Sequence, residues 1–314
     1  DPAAADSFDH LLAGAREPLA GVVHCFGLDA TPLDQASSAS LEHDAVLTCG
    51  SLLHLTQALL RTGSPARIWV VTRDAVSAVA GDHVTGTTQA PLWGFGRVVS
   101  LEHPELWGGL IDVPAHSVCA DMAAAVVEQI AAPGAEDQIA LRDNGGFVPR
   151  LVQGRSVAVT PVALRKDASY LVTGGTGGVG LLIAREMARQ GAGHLVLLSR
   201  SGLPDRRLWP TLPEGGEAYR QMAAVREIEA FGTSVTAPMV DVTDLAAMEG
   251  LSGMLAALPP LRGVVHAAAH IGAGRVPELT LDDVSRMLRP KVTGTWVLER
   301  VTAAYELDFF VAFS

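Results

Sequence analysis

The sequence predicts an α/β protein built of two tandem doubly wound parallel sheets, the first of them truncated, and three observations carry that expectation. Near-continuous apolar segments suited to strands alternate with amphipathic segments suited to helices, the pattern of parallel sheets covered on both faces. A length of 314 residues suits two domains better than one. One spelling occurs twice, PLAGVVH at 18–24 and PLRGVVH at 260–266, which sets Gly21 and Gly263 242 positions apart (263 − 21).

In chain order the expected strands are GVVHCF (21–26), RIWVVT (67–72), SYLVTG (169–174), HLVLLS (194–199), SVTAPMV (234–240), GVVHAA (263–268) and FFVAF (309–313). At the same offset RIWVVT falls on FFVAFS (309 − 67 = 242), strand on strand, with a helix-like segment before each. Two similar units are therefore expected, 1–160 and 161–314, joined by LVQGRSVAVTPVALRKD at 151–167, whose prolines and mixed polarity suit a connector. The second unit opens on a glycine-rich stretch that has no counterpart in the first, and Cys49 stands where the offset puts Lys291. The first unit reads as a scaffold and the second as the bearer of the chemistry.

Hydrophobic residues make up 48% of the chain and charged ones 18%, so burial is ample. A net charge of −11 and a pI near 5.3 argue against a broad nucleic-acid surface. No apolar run is long enough to span a membrane, and DPAAADSFDH lacks the parts of a signal peptide, so a cytoplasmic location is expected. Cys25, Cys49 and Cys119 are odd in number and widely spaced; they suit buried fillers better than disulfides or a zinc site. The histidines include no His-Glu-x-x-His, and no metal is expected. A start at Asp1 and an end on the apolar run DFFVAFS suggest a piece of a longer polypeptide.

TGGTGGVG, comprising Thr173, Gly174, Gly175, Thr176, Gly177, Gly178, Val179 and Gly180, follows a strand and opens a helix. It reads either as Gly-x-Gly-x-x-Gly at 175, 177 and 180 or as Thr-Gly-x-x-x-Gly-x-Gly at 174, 178 and 180, and the sequence does not choose. In both registers glycines permit a tight turn and close backbone approach, leaving amide N–H groups and a helix dipole for a pyrophosphate. No Gly-Lys-Ser/Thr follows, which excludes a P-loop. At the tip of the next strand, where an acid would accept bonds from ribose hydroxyls, stand Ser199 and Arg200; a guanidinium suits a 2′-phosphate, so NADPH is favoured over NADH, a solvated arginine being the alternative. Within MVDVTD, Asp241 stands at a strand end, where a carboxylate could accept an adenine amino group, whereas Asp244 suits a helix N-cap.

VTGGTGGVG, HLVLLSRSG, VDVTD, GVVHAAA and RPKVTGTW, in this order, resemble the ketoreductase domain of modular polyketide synthases, a subgroup of the short-chain dehydrogenase/reductases. APLWGFGRVVSLEHPELWGGLIDVP at 90–114 is similar to the non-catalytic structural subdomain of that family, so the resemblance covers essentially the whole chain and implies two Rossmann-like units, one decayed and one active. It implies NADPH-dependent reduction of a β-ketoacyl thioester to a β-hydroxyacyl thioester, the acyl chain held on the phosphopantetheine of an acyl carrier protein, with neighbouring synthase domains as partners. It places Val242, His266, Ala267 and Ala268 among the cofactor-binding residues, beside the glycine loop, Ser199, Arg200 and Asp241. Lys291 matches the family's lysine, which lowers the pKa of a catalytic tyrosine and contacts the ribose.

The family's other catalytic residues are not matched. No tyrosine, at 170, 219 or 305, is followed four residues later by Lys or Asn; the one asparagine, Asn144, lies in the other half; and Ser314 matches only the first serine of the family's Phe-Ser-Ser. They are expected in polypeptide beyond Ser314. The Leu-Asp-Asp marking one product configuration is replaced by Ile271, Gly272 and Ala273, so the configuration stays open; Ala269 replaces a glycine near the nicotinamide; and Asp282 and Asp283 suit a helix start. The excursion 201–232 reads as a surface loop and a core helix, or as a contact with a neighbouring domain. A catalytically inactive structural unit of a megasynthase is the alternative function, and a single-domain dehydrogenase acting on a free metabolite a third.

Overall fold

The computed structural model describes residues 1–15, 19–115, 119–132, 134–154, 162–272 and 274–313. The chain forms two compact units, one of residues 1–155 with 272–288 and one of residues 156–271 with 289–314. The expected division, 1–160 and 161–314, is contiguous, whereas these units interleave. Buried Val276 and Val284, with Leu279 and Leu288 against them, belong to the first unit's core, and Gln57 donates to the Val276 and Leu279 carbonyls at 3.0 and 2.8 Å.

In order, the first half of the chain carries α1 (Ala5–Ala13), β1 (Gly21–His24), α2 (Ser38–Ala45), α3 (Ser51–Thr62), β2 (Arg67–Arg73), α4 (Pro91–Glu102), β3 (Trp107–Val113), α5 (Cys119–Ala131), β4 (Gln138–Arg142) and β5 (Gly145–Phe147). Its sheet runs β1-β2-β3-β4-β5, parallel except for the final hairpin. β3, β4 and β5 are additional to the expected strands. The hairpin is made by the two-residue turn Asp143–Asn144 ahead of Gly145, so the chain's one asparagine serves a turn.

The second half carries β6 (Ser169–Thr173), α6 (Gly178–Arg189), β7 (His194–Leu198), α7 (Glu217–Ala230), β8 (Ser234–Thr236), α8 (Leu245–Glu249), α9 (Ser252–Ala256), β9 (Leu261–His266), α10 (Leu281–Lys291), α11 (Thr293–Thr302) and β10 (Phe309–Ala312). The sheet order is β10-β9-β6-β7-β8, all parallel. Read by sequence within the unit this is 3-2-1-4-5, the order of a dinucleotide-binding sheet. β6 and β7 are buried along their whole length, in keeping with their mainly apolar spelling. β8 is shorter than expected; beyond it only Ser199 and Met239 bridge.

The repeated spelling is a repeated pairing. Gly21 pairs Arg67 in β1–β2 and Gly263 pairs Phe309 in β9–β10, each member 242 positions from its counterpart. α3 and α11 begin at Ser51 and Thr293, again 242 apart. β1 and β2 thus correspond to the unit-two strands β9 and β10, and the first sheet has no strand in the place of β6, which is why no glycine loop exists there. Arg16–Pro18, Ala273, Ser314 and residues 155–161 of the connector lie outside the described residues.

Among the cysteines, Cys49 is buried as expected, its thiol pushed up to about 12 by burial, but Cys25 is exposed. Among the described residues no cluster of His, Cys, Asp and Glu could hold a metal ion, and no helix is long and apolar enough to cross a membrane. Asp244 caps α8 by accepting from the Ala247 N–H, and Asp282 and Asp283 lie in the first turn of α10. The excursion after β7 packs on its own unit: Trp209 is buried beneath Arg206, with α7 beside α6.

His24, at the end of β1, is 2% exposed; its Nε2 lies 2.7 Å from Ser51 Oγ and its Nδ1 is buried without a partner among the described residues. Burial pushes its pKa down to about 4. The unfolded chain binds a proton here below about 6.5 and the folded unit only below about 4, so the neutral ring stabilises the fold above pH 6.5 and that contribution drains away as pH falls towards 4. Urea titrations should show stability falling over that range, and His24→Gln should reduce the slope by up to one proton, roughly 1.4 kcal/mol per pH unit. Equal slopes for both proteins would exclude this ring as the cause.

Candidate functional site

Register brings four chain segments to one edge of the second sheet. Thr173 pairs Leu198 on one side and His266 on the other, and His266 pairs Ala312. The loops leaving these strands are the glycine loop, Ser199–Arg200, Ala267–Ala269 and Phe313. Ligands of open α/β sheets bind beyond the carboxyl ends of the strands, where strand order reverses, and in this sheet that reversal lies between β6 and β9.

The glycine loop is shaped by backbone crowding. Gly174 has φ +64°, and a Cβ there would lie 2.9 Å from both the Ala267 oxygen and the Ala268 nitrogen. A Cβ on Gly180 would overlap the Gly174 carbonyl, so α6 can start against the loop only if residue 180 has no side chain. Gly174 belongs to one sequence register and Gly175, whose Cβ would lie 2.8 Å from Leu197 Cα, to the other; packing needs both. Gly178 begins α6 with open space around its Cβ position, and Gly177, Gly178 and Val179 are exposed while Thr176 is buried. The first N–H groups of α6 have no intrahelical acceptor, so they face outward beside a surface that a phosphate can approach closely. These residues fit the pyrophosphate of a dinucleotide.

Around that cradle the expected residues divide into two sets. Arg200 is exposed and makes no hydrogen bond or ion pair among the described residues, a free cation beyond β7. Ser199 Oγ accepts from the Gly202 N–H at 3.0 Å and closes the turn that carries it. Asp241 Oδ1 accepts from the Thr243 N–H and hydroxyl at 2.9 and 2.8 Å, which fixes the carboxylate. Ala267 and Ala268 are half-buried and Ala269 is exposed. Thr173, Val242 and His266, by contrast, are buried, with Thr173 and His266 fully so. Both ring nitrogens of His266 have partners within the unit, Nδ1 at 2.6 Å from Thr173 Oγ1 and Nε2 at 2.9 Å from the Pro290 oxygen.

Lys291 ends α10, half-buried, with its ammonium donating to the Phe313 carbonyl. Burial pulls its pKa below the usual lysine value. The tyrosines offer no proton donor at this edge from Tyr170, which is fully buried, stacks on Phe309 with centroids 5.9 Å apart, and accepts from the Arg165 N–H at 2.7 Å.

Residues 168–314 match the family model of the KR domain, and residues 3–151 match that of the Rossmann fold domain of the polyketide synthase extender module SpnB. The chain is 38% identical over 250 residues to a 5-methyl-1-naphthoate synthase of Streptomyces sahachiroi, covering 79% of this chain and 14% of that protein. It is 39% identical over 259 residues to the pikromycin polyketide synthase component PikAIII of Streptomyces venezuelae, covering 82% of this chain and 16% of that one. Among solved structures, A-type ketoreductases from a modular polyketide synthase superpose with a TM-score of 0.79 at 35% identity, over 99% of this chain and 63% of theirs. The first ketoreductase of the tylosin synthase superposes with a TM-score of 0.76 at 30% identity, over 99% and 61%.

Crowding makes opposite demands on two loop glycines. Gly180→Ala should lower stability by about 1–3 kcal/mol, because backbone must move to admit the methyl group, whereas Gly178→Ala should leave the thermal midpoint near that of the parent. Paired melting curves check this; equal midpoints would show that the helix does not close on the loop.

Proposed function

For a chain that belongs to the ketoreductase domains of polyketide synthases, we propose that the second unit binds NADPH and takes part in reducing a β-ketoacyl thioester carried by an acyl carrier protein. Ketoreductases of this fold bind a nicotinamide cofactor; the preference for the phosphorylated form is inferred from the free guanidinium of Arg200 beside the cradle, the single observation that carries it. The N–H groups of α6 and the loop Gly174–Gly180 would hold the pyrophosphate, Arg200 and the Ser199 turn the 2′-phosphate, and the Asp241–Val242 segment the adenine end. When bound, NADPH supplies a hydride.

The chain's own residues then do three things. The glycine loop binds and excludes water by close backbone approach. The Ala267–Ala269 segment, beside the loop by register, bounds the nicotinamide end. Lys291, with its pKa lowered by burial, holds a mobile proton where its ammonium meets the Phe313 carbonyl. In the reading proposed here it acts on a tyrosine, with a serine and an asparagine, supplied from beyond residue 314. Neighbouring synthase domains and the carrier protein are the proposed partners.

A polypeptide carrying this chain and those residues should consume NADPH when given a β-ketoacyl thioester. Arg200→Gln should raise the KM for NADPH about 10- to 100-fold, the worth of a charge-assisted hydrogen bond, with little change for NADH. Steady-state absorbance assays with both cofactors decide the matter. An unchanged KM would remove the case for NADPH, and absence of turnover would favour the inactive structural unit.

A further inference from the structure

α10 stops at Lys291 and α11 begins at Thr293, so the break at Val292 frees carbonyls at the end of α10 that no helical N–H can reach. Two groups take them up. The Thr295 hydroxyl donates to the Lys291 oxygen at 2.6 Å, and His266 Nε2 lies 2.9 Å from the Pro290 oxygen. A carbonyl only accepts, so Nε2 must carry the ring proton. Nδ1 of the neutral ring is then an acceptor, and the Thr173 hydroxyl 2.6 Å away must donate to it. The Thr173 oxygen in turn accepts the Ala268 N–H at 3.2 Å. Every donor in this chain points the same way, from Ala268 through Thr173 and His266 to the residue before Lys291.

We propose that His266 is a positioning residue for Lys291: locked as the Nε2–H tautomer by Thr173, it ties the last turn of α10 to the carboxyl ends of β6 and β9 and so sets where the lysine ammonium stands. The inference rests on the reading of Lys291 as the ketoreductase lysine. Packing supports it independently. His266 is fully buried, and a Cβ on Gly294, one turn beyond the lysine, would lie 3.5 Å from its Cε1, so helix and ring are already in contact. Burial and the neighbouring Lys291 ammonium both hold the ring neutral. The first unit offers an internal comparison. His24 occupies the equivalent position (266 − 24 = 242) and its Nε2 likewise meets a helix, at Ser51 of α3, yet among the described residues its Nδ1 has no partner, the first sheet lacking the strand that would bring a threonine. Cys49 stands in the place of Lys291 there. The threonine-locked ring occurs where the lysine is, and the unlocked ring where it is not.

The test uses the complete reductase polypeptide carrying this chain. A long-range 1H–15N spectrum of the unaltered protein should show His266 with its proton on Nε2 at neutral pH; an Nδ1–H tautomer or an imidazolium would overturn the proposal. His266→Phe keeps the ring and removes both nitrogens, and should lower kcat about 10- to 100-fold, the usual penalty of a misplaced catalytic group, with KM for the thioester little changed. It should also shift the Lys291 ammonium titration, followed by 13C-labelled lysine NMR. His266→Gln keeps a donor for the Pro290 carbonyl and should recover most of both. A merely structural histidine would lower the melting temperature of both variants and leave the lysine titration in place, which would overturn the proposal; if His266→Phe does not fold, the tautomer and the Gln variant decide. Absence of turnover in the unaltered protein would count against the reductase reading alone, because the tautomer and the lysine titration are read without substrate.

Discussion

Everything at the candidate site depends on the register of four parallel strands. Parallel pairing aligns strand ends only if each crossover returns the chain at the right height, and here Leu198, Thr173, His266 and Ala312 lie in one row. A slip of one residue in β9 would move Ala267–Ala269 relative to the glycine loop and would turn His266 out of the core, since alternate side chains face opposite sides of a sheet. The site is thus less a set of residues than a level in the sheet, and the loops inherit their neighbours from it.

Much of this was legible in the sequence because the constraint writes itself in local spelling. Strands buried on both faces are mainly apolar, so HLVLL and SYLVT announce themselves, and close backbone approach demands glycine, so the loop does too. The duplication was legible for the same reason: β1–β2 and β9–β10 keep not only their letters but their pairing partners. What was not legible rests on long-range contact. Nothing in the sequence around Val276 and Leu279 marks them as part of the first unit's core, because the groups that hold them, Gln57 among others, are more than two hundred positions away. The partners of the His266 ring are hidden from the sequence for a related reason. A polar residue after an apolar strand resembles a residue offered to a ligand, and only the positions of Thr173 and Pro290 show that its nitrogens are already taken. The hairpin at Asp143–Asn144 had a local signal in Asp-Asn-Gly-Gly that could have been used.

The two sheets also show what separates a scaffold from a site when the topology is shared. Around Asp112 in the first unit the polar groups satisfy one another. Asp112, fully buried at the end of β3, accepts from the Thr72 hydroxyl at 2.6 Å, the Ala75 N–H at 2.9 Å and Arg142 at 2.9 Å. Arg142 also bonds Asp82 at 3.0 Å and the Val76 carbonyl at 2.7 Å, and the Trp93 indole donates to Thr72 at 3.0 Å. Burial alone would push the Asp112 carboxyl up, and desolvation outweighs these partners, so the network holds a costly group in place and is fully committed to doing so.

At the equivalent level of the second unit the commitment is partial. The Thr173–His266 pair is closed and buried, but directly beyond it the first N–H groups of α6 and the Arg200 guanidinium are left to solvent, and the Lys291 ammonium meets the Phe313 carbonyl at the same edge. A closed network gives rigidity and an open edge gives somewhere to bind; the second unit places one directly beneath the other. That layering explains why the glycine loop can remain exposed without becoming loose. Its geometry is fixed from below by Gly174 against Ala267 and by Thr173 against Ala268, so the outward-facing amides are ordered before any ligand arrives and little conformational entropy is left to lose on binding.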